Sequence, residues 1–346
     1  MTKKVALRFA GFGYEWNEVK LGEVTDIKTG GRDVQDSVED GLYPFYIRSE
    51  EVKRINSYSF DGEAILIPGE GRLGEIFHYA NGKFDVHQRV YRISNFTDVN
   101  AKFILQQMKK DFKRHAMRNT VKATVDSLRL PTIQSFTLFV PSLPEQTAIG
   151  SFFQDIDQLI SLQQRKLEVF KEQKKTYLKL LFSAKGQTKP ALRFAGFEDD
   201  WKEVKLGEYC DIATGKLDAN AMVTDGEYDF YTSGIQKYKI DVAAFEGPAI
   251  TIAGNGATVG YMHYADGKFN AYQRTYVLSN FLVDRSFIYS EIGRKLPSKI
   301  QQEARTGNIP YIVMDMLTKL DICLPSLPEQ EAIGSFFQEL DKAIAK

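Results

Sequence analysis

Pro141–Ile160 reads PSLPEQTAIGSFFQDIDQLI, and Pro325–Ile344 reads PSLPEQEAIGSFFQELDKAI, with 15 of 20 positions identical. A Leu-Pro-Glu-Gln entry puts proline in a first helical turn and an acid where the helix dipole favours it. Apolar residues then recur at steps of four and three, namely Ile149, Phe153, Ile156 and Ile160. They continue, past a polar Gln163, through Leu167, Phe170, Lys174, Tyr177 and Leu181, and no proline or glycine falls between Gly150 and Gly186. The pattern is a heptad seam with two polar positions. A helix over 145–183 would be on the order of 58 Å long at ~1.5 Å per residue and cannot bury that seam alone.

Working outward, the rest of the chain is doubled too. LRFAGF occurs at Leu7–Phe12 and Leu192–Phe197, W-x-E-V-K-L-G-E at Trp16 and Trp201, HYANGKF or HYADGKF at His78 and His263, and Gln-Arg at Gln88-Arg89 and Gln273-Arg274. The offset is 185 early and 184 late, too long for a solenoid repeat, so a whole domain plus a connector is duplicated. Residues 31–66 and 216–251 share little, as do 95–135 and 280–319. One scaffold kept twice with interiors that diverged is expected of two copies that bind different things. Each copy reads as a compact α/β (α+β) domain. Its strands are Tyr43–Tyr46, Phe60–Ile67 and Val90–Ile93, or Tyr228–Tyr231, Ala249–Ile252 and Thr275–Leu278. The copy-one helix over 101–118 has Phe103, Ile104, Met108, Phe112 and His115 on one stripe. Trp16 and Trp201 read as core anchors. The expected domains are 1–143 and 186–327, with a spacer helix over 144–185 and the start of a distal helix over 328–346. Ile333, Phe337, Leu340 and Ile344 open the same seam in the distal helix, so the two helices are expected to pair antiparallel. About half of the distal helix is missing relative to the first. Seam positions over 163–183 are then expected to be unpaired: either the protein is naturally short, or another chain covers the Leu167–Phe182 face.

Composition bounds the chemistry. The 346 residues carry 45 basic and 45 acidic side chains, two cysteines and four histidines, none at metal-ligand spacing. A metal site or disulfide framework is not expected. Neither is a signal peptide or a membrane span, so the expectation is a soluble, cytoplasmic protein that makes no membrane contact. Gly69, Gly71 and Gly74 match G-x-G-x-x-G, the phosphate-binding pattern that must follow a strand and open a helix. Here the sequence runs instead into Asn81-Gly82, matched by Asp266-Gly267 in copy two, which are hairpin signals. The glycines therefore read as a tight loop. Asn308-Ile309-Pro310-Tyr311 is similar to the Asn-Pro-Pro-Tyr motif of adenine methyltransferases, but isoleucine stands at its second position and copy one has nothing like it. No cofactor is expected.

The doubled P-S-L-P-E-Q-x-A-I-G-S-F-F-Q blocks, the long helix Asp155–Phe182 and the W-x-E-V-K-L-G-E openings together resemble the specificity subunit of type I restriction–modification systems. The resemblance covers essentially the whole chain. It implies that each globular copy is a target recognition domain reading a few base pairs of double-stranded DNA. It also implies that the helices set the gap between two half-sites. Two modification subunits carry the adenine methyltransferase chemistry, restriction (translocase) subunits join them, and this chain has no catalytic residue. Direct readout uses Arg, Lys, Asn or Gln beside groove-sized loops. The candidates are Arg72, Gln88, Arg89, Arg118 and Lys122 in copy one, and Asn255, Gln273, Arg274, Arg305 and Asn308 in copy two. The recurring Gln-Arg suits phosphate positioning, which carries no sequence information. The partner or coiled-coil interface is expected at Ile156, Ile160, Leu167, Phe170, Tyr177, Leu181, Phe337, Leu340 and Ile344. Two other classes remain open: a nucleotide- or S-adenosylmethionine-dependent enzyme, and a coiled-coil scaffold with no DNA role.

Overall fold

A computed structural model describes residues 8–13, 15–119, 127–184, 186–303 and 310–346. The chain forms two compact units, Met1–Gln163 and Gln164–Lys346. In the first, β1 (Asn17–Lys20) pairs antiparallel with β8 (Thr137–Val140). A six-stranded sheet runs in the order β2 (Asp26–Thr29), β7 (Val90–Ser94), β5 (Phe60–Pro68), β6 (His78–Val86), β3 (Tyr43–Tyr46) and β4 (Val52–Ile55). All neighbours are antiparallel except β3 and β6. Helix Ala101–Asn119 lays Phe103, Ile104, Met108 and Phe112 against Ile65, Ile67 and Ile93 of the sheet and Leu138 of β8. The expected stripe is therefore the buried one.

The second unit repeats this plan. A pair, β9 (Lys202–Lys205) with β18 (Asp321–Leu324), opens and closes it. Its sheet is divided into β10 (Asp211–Thr214), β17 (Thr275–Ser279), β14 (Ala249–Ala253) and β15 (Met262–Ala265) on one side. On the other are β12 (Lys237–Ile240), β11 (Tyr228–Tyr231), β16 (Lys268–Ala271) and β13 (Phe245–Glu246). Helix Arg285–Glu303 fills the place of Ala101–Asn119.

The hairpin expectation fails. Asn81-Gly82 lies inside β6, with Gly82 opposite Gly62 of β5, and Asp266-Gly267 sits between β15 and β16, where the chain passes from one sheet to the other. Gly267 at φ +65° supplies the step from one strand to the next, and Gly82 at φ +113° supplies a bend within a strand. Glycine in a strand interior often does this, and the local signal for a bend is the same as for a turn.

The Leu-Pro-Glu-Gln entry is explained by what it holds. Buried Glu145 takes Arg8, with Nε donating to Oε1 at 2.8 Å, and buried Glu329 takes Arg193 at 2.9 and 2.6 Å. Gln146 accepts the Asn100 N–H (2.9 Å) and donates to the Pro141 carbonyl (2.9 Å), while Gln330 does the same with Asp284 (3.0 Å) and Pro325 (2.9 Å). Four residues on, a Cβ at Gly150 would lie 2.9 Å from the Phe103 nitrogen, and one at Gly334 would lie 2.8 Å from that of Phe287. The repeated motif thus clamps a helix onto the domain before it.

The connector helix runs Leu143–Leu180 and the distal helix Leu327–Ala345. In the second unit the end of the connector packs antiparallel to the distal helix. Phe182 lies 5.7 Å from Phe337 and Tyr177 lies 5.1 Å from Phe336, ring centre to ring centre, while Lys174 pairs with Asp341. Leu181 and Phe337 are buried, and Leu167, Phe170, Tyr177, Leu340 and Ile344 are half-buried. In the first unit Ile156 is half-buried and Ile160 exposed. The expected bare Leu167–Phe182 face is corrected at its C-terminal end, because Tyr177, Leu181 and Phe182 join the core of the second unit. Among the described residues, no helix is long and apolar enough to cross a membrane.

Candidate nucleic-acid interface

The glycine loop joins β5 to β6, two antiparallel strands, and its copy-two counterpart joins β14 to β15. Neither loop opens a helix. Each is instead held as a rigid tip. Gly69 N–H donates to the Arg89 carbonyl (2.8 Å), and the Gly69 carbonyl accepts from Leu128 N–H (2.8 Å). Gly254 bonds the Arg274 carbonyl (2.8 Å) and Ile312 N–H (2.7 Å) in the same way. The Tyr91 hydroxyl donates to the Leu128 carbonyl (3.1 Å) and that of Tyr276 to the Ile312 carbonyl (2.8 Å). The residues after Gly69 and Gly254, and the arginines after Gln88 and Gln273, are therefore presented on a fixed backbone.

In the first unit, Arg48, Glu70 and Arg72 line a concavity of about 430 Å³ with Val34, Ile47, Ser49 and Gly71. Glu70 accepts from Arg48 (3.2 Å) and from Arg89. Arg72 pairs with Glu75 (2.9 Å) and Glu50 (2.8 Å), which raise its pKa in that order. Lys113, on the helix, also reaches Glu75 (2.6 Å). Gln88 donates to Asp33 (2.9 Å). The Arg89 N–H donates to Nδ1 of His87 (2.9 Å), which requires that nitrogen unprotonated. His87 is buried, and burial, followed by the charge of Arg48, pushes its pKa down. Arg118 is exposed on the last turn of its helix. The structure thus gathers Arg72 and Arg89 at one tip, with Gln88 beside Arg89 in sequence, while Arg118 stands apart from these contacts. Lys122 lies outside the described residues.

In the second unit the same positions carry other chemistry. Asn255 replaces Glu70 and accepts a hydrogen bond from the Ser233 hydroxyl (2.6 Å), where Ser233 stands in the place of Arg48. Gln273 donates to Asp218 (3.4 Å), as Gln88 does to Asp33. Arg274 is exposed and, among the described residues, makes no ion pair. Arg305 and Asn308 lie outside the described residues. Arg48 and Ser233 are absent from the sequence-derived set. The shared Tyr-x-Phe-Tyr strand two residues before each would have aligned them.

No group of three or more His, Cys, Asp or Glu that could hold a metal ion occurs among the described residues. Cys210 and Cys323 are buried and free, and burial pushes the Cys210 thiol up to about 12, where it is not a nucleophile at neutral pH.

Comparison with known proteins agrees with the duplication. A family model described as the type I restriction modification DNA specificity domain matches residues 14–172 and again 198–346. The specificity subunit of the type I restriction enzyme EcoDI from Escherichia coli is 41% identical over 147 residues, which make up 42% of this chain and 32% of that protein. The specificity subunit of the type I restriction enzyme MjaVIII from Methanocaldococcus jannaschii is 23% identical across 95% of this chain and 87% of its own length. The crystal structure of a type I restriction–modification S subunit from M. genitalium superimposes with a TM-score of 0.76 at 17% identity, covering 100% of this chain and 93% of that one, a likeness of fold.

Proposed function

The chain belongs to the family of type I restriction–modification DNA specificity domains, which it carries twice, and from that premise we propose that it is the sequence-reading subunit of such a complex. Each unit reads one half of a bipartite double-stranded DNA target, with 1–143 and 186–327 as the reading domains. The helical segments 144–185 and 328–346 set the gap between halves and carry the partner subunits. Two modification subunits methylate adenine N6 where this chain directs them, restriction subunits cleave, and the chain contributes no catalytic group. The complex works in the cytoplasm.

The observation that supports this reading is the pairing of one scaffold with two chemically different tips. The backbone bonds that anchor the tip at Gly69 and Gly254 are the same in both units, while Arg48, Glu70 and Arg72 in one become Ser233, Asn255 and Ala257 in the other. Phosphate grips can be shared between half-sites, but base readers cannot. Gln88-Arg89 and Gln273-Arg274 fit the shared role. Arg48 and Arg72, and Asn255 with Ser233, fit the divergent one, since arginine suits guanine edges and asparagine suits adenine edges in the major groove. Arg118, Lys122, Arg305 and Asn308 complete the DNA-binding set.

The test is a modified-base map of DNA from cells that co-express this chain with modification subunits. The expected result is N6-methyladenine in two unlike half-sites at a fixed gap. Methylation without a split motif, or none with an intact assembled complex, would sink the proposal.

A further inference from the structure

The ion-pair lattice of the first tip is replaced as a set in the second. Glu50, Glu70 and Glu75 hold Arg48, Arg72, Arg89 and Lys113. At the matching positions stand Ile235, Asn255 and Gly260 for the acids, and Ser233, Ala257, Arg274 and Pro297 for the cations. Three acids are gone and one cation remains. That cation, Arg274, is exposed and makes no ion pair among the described residues.

What takes the place of the lattice is apolar. Ile235 is 57% exposed where the first unit has Glu50, and Tyr311 is 51% exposed where it has Ser127. The backbone fixes the second equivalence. Tyr311 forms an isolated antiparallel bridge with Asn255, as Ser127 does with Glu70. The next residue, Ile312 or Leu128, donates its N–H to the Gly254 carbonyl (2.7 Å) or the Gly69 carbonyl (2.8 Å). Val313 then stands exposed in the place of Arg129. Tyr311 is therefore a half-exposed ring on an anchored backbone, paired across the bridge with the residue that carries an amide. Ile235 follows two residues after Ser233, whose hydroxyl donates to that amide's oxygen (2.6 Å).

A single exposed apolar side chain is ordinary. Two that replace polar residues around one amide, on a tip that also loses its acids, change the chemistry of the ligand that fits. In the major groove the apolar feature of a base edge is the C5-methyl of thymine, and the edge that suits asparagine is that of adenine. The unpaired Arg274 calls for an anion beside the apolar contact, and a phosphate backbone supplies one wherever base edges are met. We propose that Tyr311 and Ile235 read the C5-methyl of a thymine in the half-site of the second unit, next to the adenine edge met by Asn255. This deepens the DNA-reading function proposed above and rests on it. The first tip, with Glu50 and Ser127 there, presents no apolar group to a methyl at these positions.

The probe is deoxyuridine, which lacks the methyl and keeps the Watson–Crick pair. In duplexes carrying the mapped target, each thymine of both halves is replaced in turn. Binding by the full chain assembled with modification subunits is followed by competition anisotropy. At least one replacement should weaken binding about fourfold, the effect of burying about one methyl. A complex with Tyr311→Ser, which installs the residue of the first unit, should bind the parent and that substituted duplex alike. Tyr311→Phe, which keeps the ring, should retain the difference. Because the ring is exposed, both variants should keep the melting temperature and the assembled mass. Specific binding with no methyl-sensitive thymine, or a sensitivity that Tyr311→Ser leaves unchanged, would overturn the inference and leave the proposed function standing. Loss of assembled mass in Tyr311→Ser would also overturn it, since the ring would then face a protein partner. An intact complex that methylates no defined motif would overturn both.

Discussion

Arg48 and Ser233 occupy the same place in two copies of one scaffold, two residues after a Tyr-x-Phe-Tyr strand and opposite the residue that follows the first loop glycine. In the first unit that opposite residue is Glu70, and the tip is a lattice of exposed ion pairs. In the second it is Asn255, and the tip is a short hydrogen bond between neutral groups. The glycine–arginine backbone bonds and the tyrosine beneath are shared. The difference teaches where this fold accepts change. Backbone-bonded positions and the helix clamp are fixed by the cost of leaving buried polar groups unmet. Side chains beyond them are free to diverge because water satisfies them until a ligand arrives.

The largest effect should come from breaking what the copies share. Arg193→Ala would leave Glu329 buried without its cation, and Arg8→Ala would do the same to Glu145. Removal of the cation from a pair whose carboxylate is buried is destabilising. Thermal unfolding should show a lowered midpoint for both variants. If one variant melted like the parent chain, the clamp would not be equivalent in the two copies.

The next effect targets what they do not share. The double substitution Arg48→Ser/Glu70→Asn gives the first tip the chemistry of the second. It should change the base preference of one half-site, by about 1–3 kcal/mol at the affected base pair, and leave the other half and the gap unaltered. Methylation sequencing reads this directly. An unchanged motif would show that these positions do not read bases. Arg274→Ala should cost more DNA affinity than Arg89→Ala, because Arg89 must first leave Glu70, whereas Arg274 makes no ion pair among the described residues. Each should weaken binding evenly across sequences and reduce the salt slope by about one. Equal losses would break the distinction between a paired and an unpaired grip.

Much of this was legible without coordinates. Helix Ala101–Asn119 announces itself by periodicity, strands such as Tyr43–Tyr46 by their aromatic content, and the long connector by its uninterrupted seam. The bend at Gly82 was not legible, because Asn-Gly serves a turn and a kinked strand equally well and only the partner strand decides. The seam was legible as apolar spacing but not in its use: Ile160 is exposed while Leu181 is core, and nothing local separates them. The Leu-Pro-Glu-Gln motif reads as a helix start, yet its glutamate and glutamine are spent on residues 137 and 46 positions away. Arg48 was hidden because it lies in a stretch where the copies share little, and only the short Tyr-x-Phe-Tyr match before it aligns it with Ser233.

The smallest expected effect is a pH dependence confined to the first tip. His87 is buried with Arg48 and Arg89 pushing its pKa down against the pull of Asp33 and Glu70. Its neutral Nδ1 accepts the Arg89 N–H. A folded-state pKa below the ordinary value of 6.5 means that the contribution is whole above about pH 6.5 and is lost as pH falls through the folded value. Copy two has Tyr272, and so no imidazole, at this position. His263 in the second unit also has a lowered pKa, so global stability falls in acid for both units and cannot discriminate between the tips. A local probe can. Hydrogen exchange of the Arg89 amide, corrected for its intrinsic pH dependence, should accelerate below pH 6.5 while that of Arg274 does not. In His87→Asn, whose side-chain oxygen keeps an acceptor near the same place and does not titrate, the Arg89 profile should flatten. If acid loosened both amides alike, or if His87→Asn kept the pH step, the imidazole would not be what holds the Arg89 backbone in place.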